Sequence, residues 1–148
     1  MKHLKKFNES LSKQDLQDFC ESSLAYMLDD DFKISCDKVI TSAGHDNSNK
    51  FMITITKLDG WDPFFYPDYK DHLIPFIKLL SRRYTLESFT NDNKVIMWDY
   101  NNKRWVGFTL DQILNIDDPN NTEDKTYYYE DSIFPNTTSF KLKVSEKK

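Results

Sequence analysis

The chain has 148 residues, of which 39% are hydrophobic, 30% charged and 15% aromatic, so its composition is that of a folded domain and not of a disordered chain. No apolar run reaches the roughly 20 residues of a membrane-spanning helix, and two cysteines are too few for a disulfide framework. The formal net charge of −4 gives no overall attraction for nucleic acid.

The first residues are rich in lysine, and we predict a short basic N-terminal arm over residues 1–11. This arm lacks the apolar stretch of a secretory signal, which predicts a cytosolic protein with reduced thiols. Ser12 followed by Asp15 is close to a capping box and predicts that the first helix begins there. Apolar residues then recur at helical spacing until the carboxylates of 29–31, which oppose the helix dipole and predict its end.

Apolar and polar residues alternate over 32–40 and again over 51–56, which predicts a pair of antiparallel strands joined by a polar connection. An aromatic loop with turn-forming residues at both ends covers 58–67. Helical spacing returns over 68–83 but includes Pro75, which removes a backbone donor and predicts that the second helix is kinked or divided there.

The C-terminal half of the chain is dominated by predicted strands. The first covers 85–90, and two more, over 94–100 and 104–109, are joined by a hairpin turn. Thr109 can then cap a short helix over 110–115.

After a polar loop over 117–126, a last strand covers 139–144 and is followed by a Lys-rich C-terminal tail. Together these elements predict a single α+β domain over residues 1–148, a two-layer sandwich in which a mainly antiparallel sheet carries two helices on one face. The periodicities place these residues in one core: Leu24, Ile53, Phe76, Ile77, Leu80 and Trp98.

Cysteine and histidine residues offer one weak pattern for nucleophilic catalysis. Asp68 lies one helical turn before His72, the spacing at which a carboxylate can orient a base, and Cys20 or Cys36 could then act as the nucleophile. The alternative is a surface ion pair beside two structural thiols, which we favour. A small cytosolic hydrolase or transferase is therefore the rival to a binding protein.

The acidic stretches 29–31 and 117–124 lack the glycine turn and the final glutamate of a calcium loop. No histidine or cysteine pair has zinc spacing, and isolated glycines exclude phosphate-binding loops. We therefore predict no catalytic residue, no metal and no cofactor. The acidic stretch 111–131 leaves open a further alternative, in which the chain imitates the phosphate backbone of nucleic acid.

Amphipathic aromatic side chains are concentrated before and at the start of the second predicted helix. The candidate partner-binding residues are Trp61, Phe64, Phe65, Tyr66 and Tyr69. Tryptophan and tyrosine anchor many protein interfaces, and Pro63 and Pro67 stiffen this loop, so we predict that at least two of its first four rings are exposed to a protein partner. The alternative is a loop that folds back over its own core. Acidic residues interleave with the rings, so we expect no nucleic-acid partner there.

Four segments carry a resemblance to a class of proteins: MKHLKKFNES, DLQDFCESSLAYMLDDDF, YKDHLIPFIKLLSRRY and RWVGFTLDQIL. Over residues 1–116 the chain resembles small uncharacterised proteins of tailed bacteriophages, including crAss-like and related phages with AT-rich genomes. The resemblance implies a phage-encoded protein that acts in the cytoplasm of an infected bacterium or in the virion, and it implies no reaction. We therefore predict a non-enzymatic phage accessory protein that binds another protein, as a virion component or as a modulator of host machinery, with no membrane partner.

Overall fold

The computed structural model describes residues 2–40, 46–59, 62–115 and 134–146, and for residues 2–12, 40 and 46–49 it describes the backbone alone. The helices are α1 (Lys2–Ser23), α2 (Ala25–Asp29), α3 (Lys70–Arg83) and α4 (Leu110–Leu114), with a 3₁₀ turn over Tyr66–Tyr69. The strands are β1 (Phe32–Ile40), β2 (Asp46–Lys57), β3 (Phe64–Phe65), β4 (Tyr84–Glu87), β5 (Asn93–Asp99), β6 (Arg104–Thr109), β7 (Asn136–Thr137) and β8 (Ser139–Glu146). The predicted α+β fold is confirmed. The predicted loop over 117–126 lies outside the described residues.

The first helix starts earlier than the sequence predicts. It begins at Lys2 and not at Ser12, so the segment predicted as an arm is helical. The early residues include no glycine or proline and several good helix formers, so the chain continues through the predicted cap. The backbone departs from the helix at Leu24, and α2 ends at Asp29, as the run of carboxylates predicts.

The second predicted helix is not divided at its proline. α3 runs without interruption through Pro75, whose side chain is exposed. A proline inside a helix costs a hydrogen bond, and here the burial of the apolar face offsets that loss. The buried side chains of this face are Leu73, Phe76, Ile77 and Leu80.

The main sheet is antiparallel, with the strand order β1-β2-β8-β5-β6 and β4 paired with β8. The last described strand is therefore a central strand. One edge of β8 pairs with β2 from Ser139 to Ser145. The other edge is shared, because β5 pairs with Phe140–Leu142 and β4 pairs with Lys143–Glu146. The strand β8 thus joins the hairpin β1-β2 to the hairpin β5-β6.

The side chains of β8 alternate between the two faces of the sheet. Phe140, Leu142 and Val144 are buried, whereas Lys141 and Lys143 lie on the opposite face, which we call the outer face. The buried side chains of the described helices join the same core as the inward side chains of the strands. No described helix covers the outer face, so the predicted two-layer arrangement is confirmed for the described residues.

The predicted core is correct except for Trp98. Leu24, Ile53, Phe76, Ile77 and Leu80 are buried together. In β5 the inward side chains are Val95 and Met97, so Trp98 lies on the outer face and is partly exposed. Every residue from Val95 to Trp98 is apolar, so alternation alone does not distinguish the two faces of this strand.

The free edge of β1 is covered by a side chain of α1. The Nε2 of Gln17 donates to the Ile34 carbonyl at 2.9 Å, and its Oε1 accepts from the Cys36 amide at 3.0 Å. The glutamine amide therefore occupies the place of a peptide group on a neighbouring strand. Open edge strands are prone to pairing with other chains, and here the helix closes that edge.

Leu80→Ala and Leu79→Ala form a matched pair on α3, because Leu80 is 0% exposed and Leu79 is 44% exposed. We expect Leu80→Ala to lower the free energy of unfolding by about 2–5 kcal/mol, since it leaves a cavity in the core. Leu79→Ala should change it by about 0.5 kcal/mol or less. Urea denaturation measures both effects, and equal midpoints for the two variants would contradict the packing of α3.

Gln17→Ala should lower the free energy of unfolding by about 1–3 kcal/mol, because a donor and an acceptor of the β1 edge lose their partners. Hydrogen exchange at the Cys36 amide should also become faster. Gln14→Ala is the control, since among the described residues the Gln14 amide donates to Asp18, on the exposed side of the helix. Unchanged protection of the Cys36 amide in Gln17→Ala would show that this edge does not depend on the glutamine.

Candidate binding surface

The aromatic loop predicted as a partner surface is mostly buried. Phe64, Phe65 and Tyr66 are 5%, 3% and 0% exposed, so the predicted exposure of these rings is wrong. β3 pairs with β7, which draws the loop against the core. Tyr69 is half-buried, and Trp61 lies outside the described residues. The described rings of the loop therefore pack over the core, as in the alternative that the sequence left open.

Specific contacts hold these rings in place. Phe64 packs edge-on against Phe32, with ring centroids 4.8 Å apart. Tyr66 stacks on Phe140 at 5.8 Å, and its hydroxyl donates to the Ile113 carbonyl at 2.9 Å. Burial raises the pKa of Tyr66 above its usual value. Substitution of these rings would therefore disturb folding before it reported on any partner.

The residues of the rival catalytic hypothesis do not come together as a nucleophile and its base. The Sγ atoms of Cys20 and Cys36 lie 3.8 Å apart in the core. The hydrogen bond with Cys36 and burial raise the pKa of Cys20, which disfavours the reactive thiolate. The ring of His72 stacks on Tyr26 with centroids 4.4 Å apart. In the described part of the chain, no hydrogen bond joins His72 to either thiol or to Asp68.

In the described ranges, no group of three or more His, Cys, Asp or Glu side chains lies close enough together to hold a metal ion. Of the stretch 29–31, Asp30 accepts a hydrogen bond from the Tyr69 hydroxyl at 2.7 Å. The stretch 117–124 and most of the acidic stretch 111–131 lie outside the described residues.

The outer face of the sheet carries aromatic rings next to lysine ammonium groups. Trp98 and Trp105 face each other across β5 and β6, with ring centroids 5.4 Å apart in an edge-to-face arrangement. The Nζ of Lys141 lies 5.2 Å from the Trp105 ring centroid, and the Nζ of Lys143 lies 5.0 Å from that of Phe89. These five residues form what we call the aromatic–lysine patch. Trp105 is 43% exposed, so part of the patch is open to solvent.

The outer face is basic although the whole chain has a net charge of −4. Its lysines in the described strands are Lys33, Lys50, Lys94, Lys141 and Lys143, and its carboxylates are Asp37 and Glu87. The Ser145 hydroxyl donates to Glu87 at 2.7 Å and Lys50 lies 3.4 Å from it; both contacts lower the pKa of Glu87. No ion pair joins Lys141 or Lys143 to a carboxylate of the described residues. Within those residues, the two ammonium groups contact aromatic rings instead.

A buried carboxylate fixes the hairpin that carries the two tryptophans. Asp99 Oδ1 accepts from the backbone amides of Asn101 and Asn102, each at 3.1 Å, and Oδ2 accepts from the Asn102 side chain at 2.8 Å. The turn closes with Lys103 at a φ of 56°. This turn sets Trp98 directly opposite Trp105. Burial alone would raise the pKa of Asp99, but these hydrogen bonds hold it below its usual value.

The patch was missed at the sequence level because its residues are distant in the chain. The alternation of lysine with Phe140, Leu142 and Val144 was a usable signal for one strand. Neither the neighbours of that strand nor the outward direction of Trp98 follows from the sequence pattern.

Comparison with models of protein families, with curated proteins and with solved structures finds no match for this chain. Among the described helices, none has both the length and the apolar character that crossing a lipid bilayer requires.

Asp99→Ala should lower the free energy of unfolding by about 1–3 kcal/mol at neutral pH, because the turn amides lose a charged acceptor. The folded-state pKa of Asp99 lies below the usual value of 3.8, so its contribution is present above that value and is lost as the pH falls through the folded-state pKa. The gap between wild type and variant should therefore shrink in acid.

Urea denaturation at several pH values measures this gap, and near-ultraviolet circular dichroism of the paired tryptophans reports the hairpin itself. Asp92→Ala is the matched control, because Asp92 is an exposed carboxylate near the start of the same hairpin. A stability difference that stays constant with pH would rule out an ionised Asp99 as the source of the effect.

Proposed function

We propose that this protein is a non-enzymatic accessory protein of a tailed phage, which binds an acidic macromolecule through the aromatic–lysine patch. The observation that carries the proposal is the patch itself: rings next to ammonium groups that form no ion pair with a described carboxylate, on a sheet face that no described helix covers. The phage origin, in the host cytoplasm or in the virion, rests on the sequence resemblance alone.

Binding accounts for the side chains better than catalysis does. A nucleophilic mechanism needs an ionisable thiol within reach of a base. The Cys36 thiol instead donates a hydrogen bond to the Cys20 sulfur in the core, and His72 stacks on Tyr26. The outer face, by contrast, has the composition of a recognition surface, since exposed tryptophan anchors interfaces and clustered lysines select anionic partners.

The charge of the outer face specifies the kind of partner. Lys141 and Lys143 stand two residues apart on the central strand, and Met52 and Thr54 are registered beside them on β2. A partner that covers this area must neutralise the ammonium groups and contact the rings. A protein partner, as expected from the sequence, would therefore present acidic side chains around an apolar centre.

Retention on immobilised heparin tests this proposal without knowledge of the natural partner. The chain is acidic overall, so we expect retention at low salt to require a local concentration of positive charge such as that on the outer face. The double variant Lys141→Gln/Lys143→Gln should elute at clearly lower salt than wild type. The matched control is Lys13→Gln/Lys78→Gln, which removes the same charge from exposed positions on helices.

The control variant should elute with wild type. Passage of the wild-type protein without retention, or an equal loss in both double variants, would contradict a role for the outer face. Circular dichroism of each variant establishes that the fold is kept.

A further inference from the structure

We infer that the acidic partner of the outer face is a single-stranded nucleic acid, an inference that rests on the proposed function and adds the chemistry of the partner. The net charge of the whole chain and the acids around the loop at 58–67 predict no nucleic-acid partner. The relevant surface is a different one, on which lysines outnumber carboxylates.

The first support is the pairing of each lysine with a ring. The ammonium of Lys141 lies 5.2 Å from the centre of Trp105, and that of Lys143 lies 5.0 Å from the centre of Phe89. A nucleotide consists of an anionic phosphate and a flat base, and it is bound by a cation next to an aromatic platform. The outer face presents this combination twice. A peptide of acidic side chains alone would use the lysines and not the rings, whereas each nucleotide uses both.

The second support is the spacing of the two lysines. Residues two apart on a strand are separated by roughly 6.8 Å and point to the same side. This separation is comparable with the distance between successive phosphates of an extended single strand. Lys141 and Lys143 therefore can contact neighbouring phosphates while neighbouring bases approach Trp105 and Phe89.

The third support is the shape of the surface. An open antiparallel sheet is a platform on which splayed bases stack, whereas a duplex hides the flat faces of its bases inside the helix. Thr54 is registered beside Lys141 on β2, and Ile96 is registered beside it on β5. An apolar side chain thus lies on the side of Lys141 that faces the rings, and a hydroxyl lies on its other side.

In the free protein the ammonium groups rest over the rings that the bases would cover. Binding therefore exchanges a cation–π contact for a phosphate contact and a stacked base. The exchange is favourable at low salt, because condensed counterions leave the nucleic acid. It also exposes the indole of Trp105 to direct contact with a base, which quenches tryptophan fluorescence.

The test is fluorescence anisotropy with labelled 20-nucleotide oligo(dT) and oligo(rU), measured over a series of salt concentrations. We expect binding of at least one of these probes to the wild-type protein. Lys141→Gln/Lys143→Gln should reduce the slope of log K against log salt by about 1.4, since two phosphate contacts on a single strand are lost. Lys13→Gln/Lys78→Gln should leave the slope unchanged.

Trp105→Ala should weaken binding about fivefold or more with little change in the salt slope, because it removes a stacking platform and no charge. Trp105→Phe should restore most of the affinity, which separates stacking from a loss of folding. A 20-base-pair duplex of mixed sequence should bind more weakly than the single strands.

Several outcomes would overturn the inference. They are the absence of oligonucleotide binding, an unchanged salt slope in Lys141→Gln/Lys143→Gln, and binding of the duplex as tight as that of the single strands. A fourth is tighter binding of poly-glutamate than of either oligonucleotide, lost in Lys141→Gln/Lys143→Gln. That result would identify an acidic protein as the partner. If heparin retention depends on the two lysines while oligonucleotides do not bind, the nucleic-acid inference fails and the proposed function stands. If heparin retention is absent, both fail.

Discussion

The register of β8 determines which side chains enter the core and which form the basic outer face. Its side chains alternate strictly, with Phe140, Leu142 and Val144 in the core and Lys141 and Lys143 outside, and it is hydrogen-bonded to strands on both edges. A slip by one residue would place ammonium groups among buried rings and expose three apolar side chains to water. That cost fixes the pairing with β2, β4 and β5 together. The core beneath the helices and the basic surface on the other side are therefore two results of a single alignment.

The sequence predicts an element well when the pattern of its own residues shows which of its faces is buried. The strands around Ile53 and Leu142 alternate apolar with polar residues, and the face of α3 repeats at helical spacing. Thr109 illustrates a fully local signal, since its side chain and that of Gln112 form the reciprocal cap of the short helix α4. Where local residues are ambiguous, prediction fails. β5 is apolar on both faces, so its pattern does not show that Trp98 lies outside the core.

The candidate site was harder to predict because it depends on contacts between distant segments. Phe64 and Tyr66 carry the composition of an interface, but their burial depends on β7 and Phe140, some seventy residues later in the chain. Likewise, the five residues of the aromatic–lysine patch come from three strands and a connecting segment. Net charge misleads for a related reason. An average over the whole chain hides the segregation of its charges, with lysines on the sheet and many carboxylates, such as Asp15, Asp18 and Glu21, on the exposed side of α1.

The contact of Gln17 with β1 also bears on the association of this protein with itself. On the edge of β1 that is not paired with β2, backbone N–H and C=O groups can bond to another chain. The Gln17 side chain of α1 satisfies two of these groups, at Ile34 and Cys36. If α1 swings away, the exposed groups become a template on which the same strand of a second molecule can add. By satisfying these groups, the first helix removes part of the pairing template that fibre-like growth requires. Conditions that loosen this helix would promote aggregation while the rest of the sheet is still folded.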